Sequence, residues 1–412
     1  MTPENRRMQK PHLVWVYPEP AQERLDAATW LVTTQELRNS GWDVTLVSRS
    51  RTDNGQQTFR DTDIYFIGQP DVYLFSTVLF HIKVIIFLLK AWSSIDIIMF
   101  HQMSAPWIFP LKLLRLLSGK RKPLLLMDTR TVPMDMSTLK WWLRGSFELL
   151  MNRIANIWVD GQTAITEPMA KAVKIPPEKL FGVWPSGVQV KRFAMAQEKR
   201  EWPQPDEAIK IIYIGSMHNR RNLMALCHAV EKANNAGLKF EMVLVGDGWE
   251  RPDLENYAAQ TAGRIQVLPP VPHTEIPQLL GQAHIGALPF PDEEQFRVSS
   301  PIKLFEYMAA GLPILATHIE CHTSVLGNEE FVFWAYGSLM EDLCMALEAI
   351  WHARVELGML GAESARSADQ WSWSTSAQKL NAALTALLVK NGIGVLPAVL
   401  ATRQTDLVSK EA

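Results

Sequence analysis

Cysteine is nearly missing from this 412-residue sequence: Cys227, Cys321 and Cys344 are all there is. Their odd number and wide spacing make neither a disulfide framework nor a zinc site, which sets aside a small stapled scaffold and favours a reducing cytoplasm. An excess of one charge is missing too. With 41 Lys+Arg against 43 Asp+Glu, the net charge of -2 gives no general pull toward nucleic acid or anionic lipid, so any such contact needs a local patch. The opening stretch "MTPENRRMQKPHLVWVYPEP" has basic residues, but its apolar run is strand-length and shorter than a signal-peptide core, so no export is expected. Long apolar runs reduce to one, "YLFSTVLFHIKVIIFLLKAW" at 73–92. It could span a bilayer by length, yet His81 and Lys83 sit at its middle, where a lysine costs about 3 kcal/mol. The following "SIDIIMF" reads as a strand, so a buried or surface-docked helix is expected there.

What is present describes a packed protein. An apolar fraction of 47% with 20% charged residues suits two domains rather than one large core. Short β-branched runs alternate with helical patterns: "HLVWVY", "WDVTLVS", "IYFIG", "IDIIMF" and "PLLLMD", then again "AIKIIYIGS" (208–216), "FEMVLVGDG" (240–248), "RIQVLPPV" (264–271), "AHIGALPF" (283–290) and "PILAT" (313–317). The alternation predicts an α/β fold of two Rossmann-like, doubly wound parallel sheets. Domains are expected at 1–190 and 208–370, joined by a charged, proline-bearing linker at 191–207. Open parallel sheets bind ligands beyond the carboxyl ends of their strands, so two of them would face each other across a cleft.

The strand ends of the second half carry the candidate site. "YIGSMHNRRN" places Gly215 and Ser216 where a strand stops, allowing close backbone approach, with Arg220 and Arg221 in reach of an anion. "LVGDGWE" adds Gly246 and Asp247 at the next strand end. In "SSPIKLFEYMAAGLPILAT", Ser300 reads as an N-cap, Pro301 as the first helical residue, and Ile302, Phe305, Ala309 and Leu312 as the buried face. Backbone N–H groups around Ser299 and Ser300 then offer an anion site, Lys303 adds positive charge, and Glu306, a turn deeper, can accept two hydroxyl hydrogens. A diphosphate joined to a ribose matches that order. The plain alternative is an i, i+3 ion pair on a surface helix.

Together these segments resemble the retaining GT-B glycosyltransferases of the large family four, the glycosyl transferases group 1. The ribose helix, the phosphate loop, the central "LVGDGWE" strand end, the interdomain "VWPSGVQVKRF" and the first-domain "ANIWVDGQTAITEPMAKAV" occur in the family's order. The resemblance implies that Glu306 holds the ribose hydroxyls and Arg221 the diphosphate, in place of the usual lysine. It gives Lys303, Ser299 and Ser300 the distal phosphate, and places the base near Val271 in "PPVPHTEIP". It also implies an acceptor-binding first domain, a nucleotide-sugar-binding second, a last helix (371–391) crossing back, and a tail at 392–412. Three departures stand out: Val298 replaces a sugar-contacting glutamate, "YPEPAQERLD" lacks the glycine pair after the first strand, and "LLLMDTRTVP" offers Asp128 and Arg130 where a histidine is usual.

The expected chemistry is transfer of a sugar from a UDP- or GDP-sugar to an acceptor hydroxyl with retention. Arg221 and Lys303 would stabilise the leaving diphosphate, with Asp128 and His101 as first-domain candidates. No cofactor and no metal are required on this reading, although "PDEE" (Asp292, Glu293, Glu294) is rich in oxygen ligands. The acceptor is expected to be a glycan, glycolipid or polysaccharide precursor. Lys140, Trp141, Trp142, Leu143 and Arg144, with the 73–92 helix, could rest on the inner face of the cell membrane. The alternatives are a nucleotide-sugar epimerase of similar architecture, a catalytically weak nucleotide-sugar-binding protein, and an intrinsic membrane protein.

Overall fold

The computed structural model describes residues 10–22, 28–69, 73–133, 138–198 and 200–394. Most of the expected tail, 395–412, and part of the segment after the first strand therefore lie outside the described residues. The chain divides into two compact units, Met1–Ser186 with Trp373–Ala412, and Gly187–Ser372. Each is an α/β unit built on a parallel sheet, and the fold is GT-B.

The first unit holds eight strands: β1 (His12–Tyr17), β2 (Asp43–Ser50), β3 (Gly55–Phe59), β4 (Thr62–Gly68), β5 (Ile97–Phe100), β6 (Leu124–Thr129), β7 (Gly161–Ala164) and β8 (Leu180–Val183). They lie in the order β3-β4-β2-β1-β5-β6-β7-β8, and only the β3–β4 pair is antiparallel. Strands β5 and β6 are buried along their whole length, as a sheet covered on both faces requires. One face is covered by α1 (Ala28–Asn39) and the C-terminal helix Trp373–Lys390, tied together where Ser374 Oγ–H donates to Glu36 Oε2 at 3.1 Å, and Trp42 Nε1–H, just past α1, donates to Asn381 Oδ1 at 2.7 Å. The other is covered by α2 (Tyr73–Lys90), α3 (Ala105–Leu117) and α4 (Leu139–Trp158).

Helix α2 is the 73–92 segment. His81 is buried, with Nδ1–H donating to Thr77 O and Ser104 Oγ–H donating to Nε2, while Lys83 Nζ donates to Gly68 O at 2.8 Å. Both polar groups are satisfied by protein, as a docked helix demands. Among the described residues no helix is long and apolar enough to cross a membrane.

The second unit contains β9 (Ile209–Ser216), β10 (Phe240–Asp247), β11 (Ile265–Leu268), β12 (Ile285–Leu288), β13 (Ile314–Thr317) and β14 (Val332–Ala335), ordered β11-β10-β9-β12-β13-β14. All pairs are parallel, and the order reverses between β9 and β12, the point beside which ligands bind in such sheets. The stretch expected as a linker, 191–207, instead contributes α5 (Val190–Glu198), whose Phe193 and Ala196 enter this unit's core. Its many charges lie on the outer face and hid the helical period. Arg200, just past its end, donates to the carbonyls of Leu280, Ala283 and Gly311 and ties the segment after helix Ile276–Leu280 to the turn at Gly311.

The last key element is α6 (Ile302–Ala309). It begins one residue later than expected, with Pro301 as N-cap and no side-chain cap, because Pro301 holds an extended ψ of 113°. Nor does it present one buried face: every residue from Leu304 to Ala316 is buried.

Candidate functional site

Two strand ends set the floor of the site in the second unit. β9 and β10 run in register to Gly246 opposite Gly215 and Asp247 opposite Ser216. Gly246 has φ +152°, and a Cβ there would collide with the Gly215 carbonyl oxygen, so this position requires glycine. Gly215 has φ +148°, and a Cβ there would collide with Cε of Lys303. The lysine of α6 therefore crosses directly over the bare backbone of the β9 turn. Two buried tyrosines fix that turn: Tyr213 Oη–H donates to Ser216 O at 2.8 Å, and Ile214 N–H donates to Tyr307 Oη at 2.9 Å. Burial pushes the Tyr213 phenol up to about 12 and raises that of Tyr307 well above its ordinary value, so both stay neutral hydrogen-bonding groups.

Beyond the turn, Asn219–Arg221 form a single 3-10 turn, and the guanidinium of Arg221 lies over two rings, 4.8 Å from Phe290 and 5.0 Å from Phe296. Phe290 follows β12, which puts Arg221 at the strand-order reversal. A guanidinium stacked on aromatic faces is oriented without using its donors, which suits an anion clamp. Arg220 takes another course and pairs with Glu293 at 3.2 Å. Asp292 pairs with Arg297, with Arg297 Nη2 donating to Asp292 Oδ2 at 3.0 Å, so two of the three acids in "PDEE" have arginine partners.

Glu306 is 7% exposed, and His273 Nε2–H donates to its Oε1 at 2.8 Å. His273 comes from the loop between β11 and the helix at Ile276–Leu280, the loop that also carries half-buried Val271. Helix α6 therefore supplies a cation over Gly215 and, one turn on, a buried carboxylate held from the loop after β11. Ser299 Oγ–H donates to Phe296 O at 2.8 Å, and Ser300 is buried just ahead of the helix. Val298, which stands where the resembled family has a sugar-contacting glutamate, is buried.

Asp128 and His101 belong to the first unit. Asp128, at the end of β6, accepts from Thr163 Oγ1 at 2.6 Å and Trp184 Nε1 at 2.9 Å; burial raises its pKa against the opposing Arg130, 4.0 Å away and stacked on Trp184. His101 follows β5, next to that sheet's own order reversal between β1 and β5, and its Nδ1 accepts from Met103 N–H at 3.4 Å.

The second unit thus brings Gly215, Ser216, Gly246, Asp247 and Lys303 together at two strand ends, with Glu306 on the same helix as Lys303. Sequence reasoning missed His273 and the Phe290–Phe296 platform. His273 lay within the quoted "PPVPHTEIP", and its approach to a carboxylate 33 residues away has no local sequence signal.

Residues 208–352 match the family model for glycosyl transferases group 1. No curated protein sequence matches the chain. Among solved structures, sucrose-phosphate synthase from Thermosynechococcus elongatus is similar with a TM-score of 0.73 at 15% identity, covering 92% of this chain and 100% of that one. HepE of Anabaena, in complex with UDP-glucose, gives a TM-score of 0.67 at 13% identity, covering 91% and 99%. The catalytic domain of starch synthase IV from Arabidopsis thaliana, bound to ADP and acarbose, gives 0.67 at 13%, covering 92% and 100%.

Proposed function

For a chain that carries a group 1 glycosyltransferase domain at residues 208–352 on a GT-B fold, we propose retaining transfer of a sugar from a nucleotide-diphosphate sugar to an acceptor hydroxyl. The observation that carries the reading is the buried Glu306 carboxylate, held by His273 one helical turn beyond a lysine laid over the Gly215 backbone. Vicinal ribose hydroxyls need a carboxylate that accepts from both; a diphosphate needs cations and bare N–H groups a few ångströms away. Helix α6 with the β9 turn offers both in that order.

In this mechanism Glu306 binds the ribose, and Arg221 and Lys303 take up charge on the departing diphosphate as the anomeric carbon–oxygen bond breaks. The Ser299–Ser300 backbone assists at the distal phosphate, Ser216, Gly246 and Asp247 line the strand ends, and Val271 flanks the base. The acceptor oxygen then bonds to the anomeric carbon on the face that the diphosphate leaves. Its proton passes to a phosphate oxygen of that leaving group, so neither a protein nucleophile nor a metal is needed. We assign Asp128 to positioning, because its carboxylate is engaged by Thr163 and Trp184, and His101 to contact with donor or acceptor, because it follows β5 beside the strand-order reversal.

The donor is proposed as a UDP- or GDP-sugar, in line with the UDP-glucose named for the Anabaena protein. The acceptor is proposed as a glycan or a lipid-linked precursor, met in the cytoplasm or at the inner membrane face. The test is incubation of the protein with UDP- and GDP-sugars and candidate acceptors, followed by NMR of the product. The expected result is a nucleoside diphosphate and a glycoside with the donor's anomeric configuration. An inverted product removes the retaining mechanism; an altered free nucleotide sugar without acceptor replaces transfer with epimerisation.

A further inference from the structure

The outward side of the first unit is apolar where water should select polar residues. Among the described residues, fifteen of the twenty-three exposed large apolar side chains lie on α2, α3 and α4. Helix α4 turns Gly145, Met151 and Ala155 inward and leaves Leu139, Trp142, Leu143, Leu150, Ile154 and Ile157 outside. Those positions form one stripe at helical spacing, and 20 residues at about 1.5 Å each make it about 30 Å long. Its two ends are the barest, with Leu139 at 72% and Ile157 at 82% exposure. Helix α3, which packs against both α2 and α4, adds Leu113, Leu116 and Leu117, and α2 adds Ile82, Ile86 and Leu89. The three helices cover the same side of the sheet, so their stripes adjoin.

Charge decides what such a surface can meet. Between residues 73 and 158 the described acidic side chains are Asp96, Asp128 and Glu148, all buried, whereas Lys90, Lys120, Arg121, Lys140, Arg144 and Arg153 are exposed. Arg144 shares its charge with Glu148 at 3.1 Å, and Lys112 and Arg115 share theirs with Asp160 at 3.0 and 2.7 Å. The chain as a whole carries -2, so this positive face is local. We propose that the outer face of α2, α3 and α4 docks on an anionic lipid bilayer. The leucines, isoleucines and Trp142 enter the boundary between headgroups and acyl chains, and exposed cations such as Lys90, Lys140 and Arg153 pair with anionic headgroups. A second copy of the chain is a poorer occupant, since a two-fold pairing sets the same cations against each other. This reading is independent of the donor assignment, because none of these residues belongs to the α6 site.

The test is co-sedimentation of the full chain with vesicles of phosphatidylcholine alone or mixed with phosphatidylglycerol. Two double variants are compared with wild type: Leu139→Glu with Ile157→Glu, and Lys140→Glu with Arg153→Glu. All four side chains are exposed, so thermal unfolding should match wild type; if the apolar pair fails to fold, the charge pair carries the test. Wild type is expected to sediment with phosphatidylglycerol vesicles and far less with phosphatidylcholine. The apolar pair should lose binding, and the charge pair should lose about fivefold for each cation removed, an effect erased by high salt. Equal sedimentation of wild type and both variants overturns the proposal. So does the absence of vesicle binding, including the case in which size exclusion shows a self-association that Ile157→Glu abolishes, which would assign the face to a second copy.

Discussion

His273 and Glu306 stand 33 residues apart in the sequence and 2.8 Å apart in space. The histidine donor fixes one carboxylate oxygen inside a helix that is buried on every side after its first turn, leaving the carboxylate oriented before any ligand arrives. Pre-organisation of this kind reduces the ordering cost of binding. His273→Phe keeps a ring but removes the donor, and a hydrogen bond to a charged group is worth about 1.5 kcal/mol, or roughly tenfold in affinity. Calorimetry with the preferred nucleoside diphosphate should show that loss, and His273→Gln should restore part of it. Wild-type affinity in His273→Phe would leave the pair without a binding role.

Two glycines should separate structure from binding. Gly246→Ala forces a Cβ into the Gly215 carbonyl at a φ of +152° and is expected to cost about 3 kcal/mol of stability. Gly215→Ala carries similar backbone strain at a φ of +148° but meets only the flexible end of Lys303 instead of backbone, so its stability cost should be smaller while nucleotide binding weakens as the lysine is displaced. Urea unfolding read beside nucleotide titration checks both; equal stability losses would contradict the assignment.

Acid should weaken the fold before it reaches the carboxylates. Burial holds His81, His284 and His322 at about 4, from an ordinary 6.5. These groups are neutral in the native state and charged in the unfolded chain between those values, so unfolding takes up protons there. Stability is fully present above about pH 6.5 and falls as pH drops toward 4, by at most about 1.4 kcal/mol per pH unit for each histidine. Denaturant midpoints at pH 7 and pH 5 measure this, and identical midpoints would refute it.

Asp160, half-buried in the first unit, lies between two cations, Lys112 and Arg115. Burial alone would raise its pKa, but hydrogen bonds from Arg115 and the Leu125 N–H, with Lys112 close by, bring it below the ordinary carboxylate value. Asp160→Ala strands the buried Arg115 guanidinium and is expected to cost about 3 kcal/mol. A change within about 0.5 kcal/mol in chemical denaturation would show that the pair is replaceable.

The parallel strands were legible because both faces of each sheet are buried, which writes continuous apolar runs such as "IDIIMF" and "PLLLMD" into the sequence. β3 was not, since its exposed "GQQTF" has no apolar alternation and its hairpin turns on Arg60 and Asp61, at φ 47° and 61°, without the usual glycine. α5 hid behind its charges. Within the candidate site, the order of Gly215, Lys303 and Glu306 could be read from strand ends and helical spacing. The aromatic platform under Arg221 and the His273 contact could not, because both depend on loops meeting across the sheet's order reversal.

The central claim is that Glu306 holds the ribose of a nucleotide-sugar donor. Calorimetric titration of wild type and Glu306→Ala with UDP, GDP and ADP tests it most directly. The account predicts that one of the three binds wild type and that the variant loses at least tenfold in affinity while keeping its unfolding temperature. A variant that binds as tightly as wild type would contradict it.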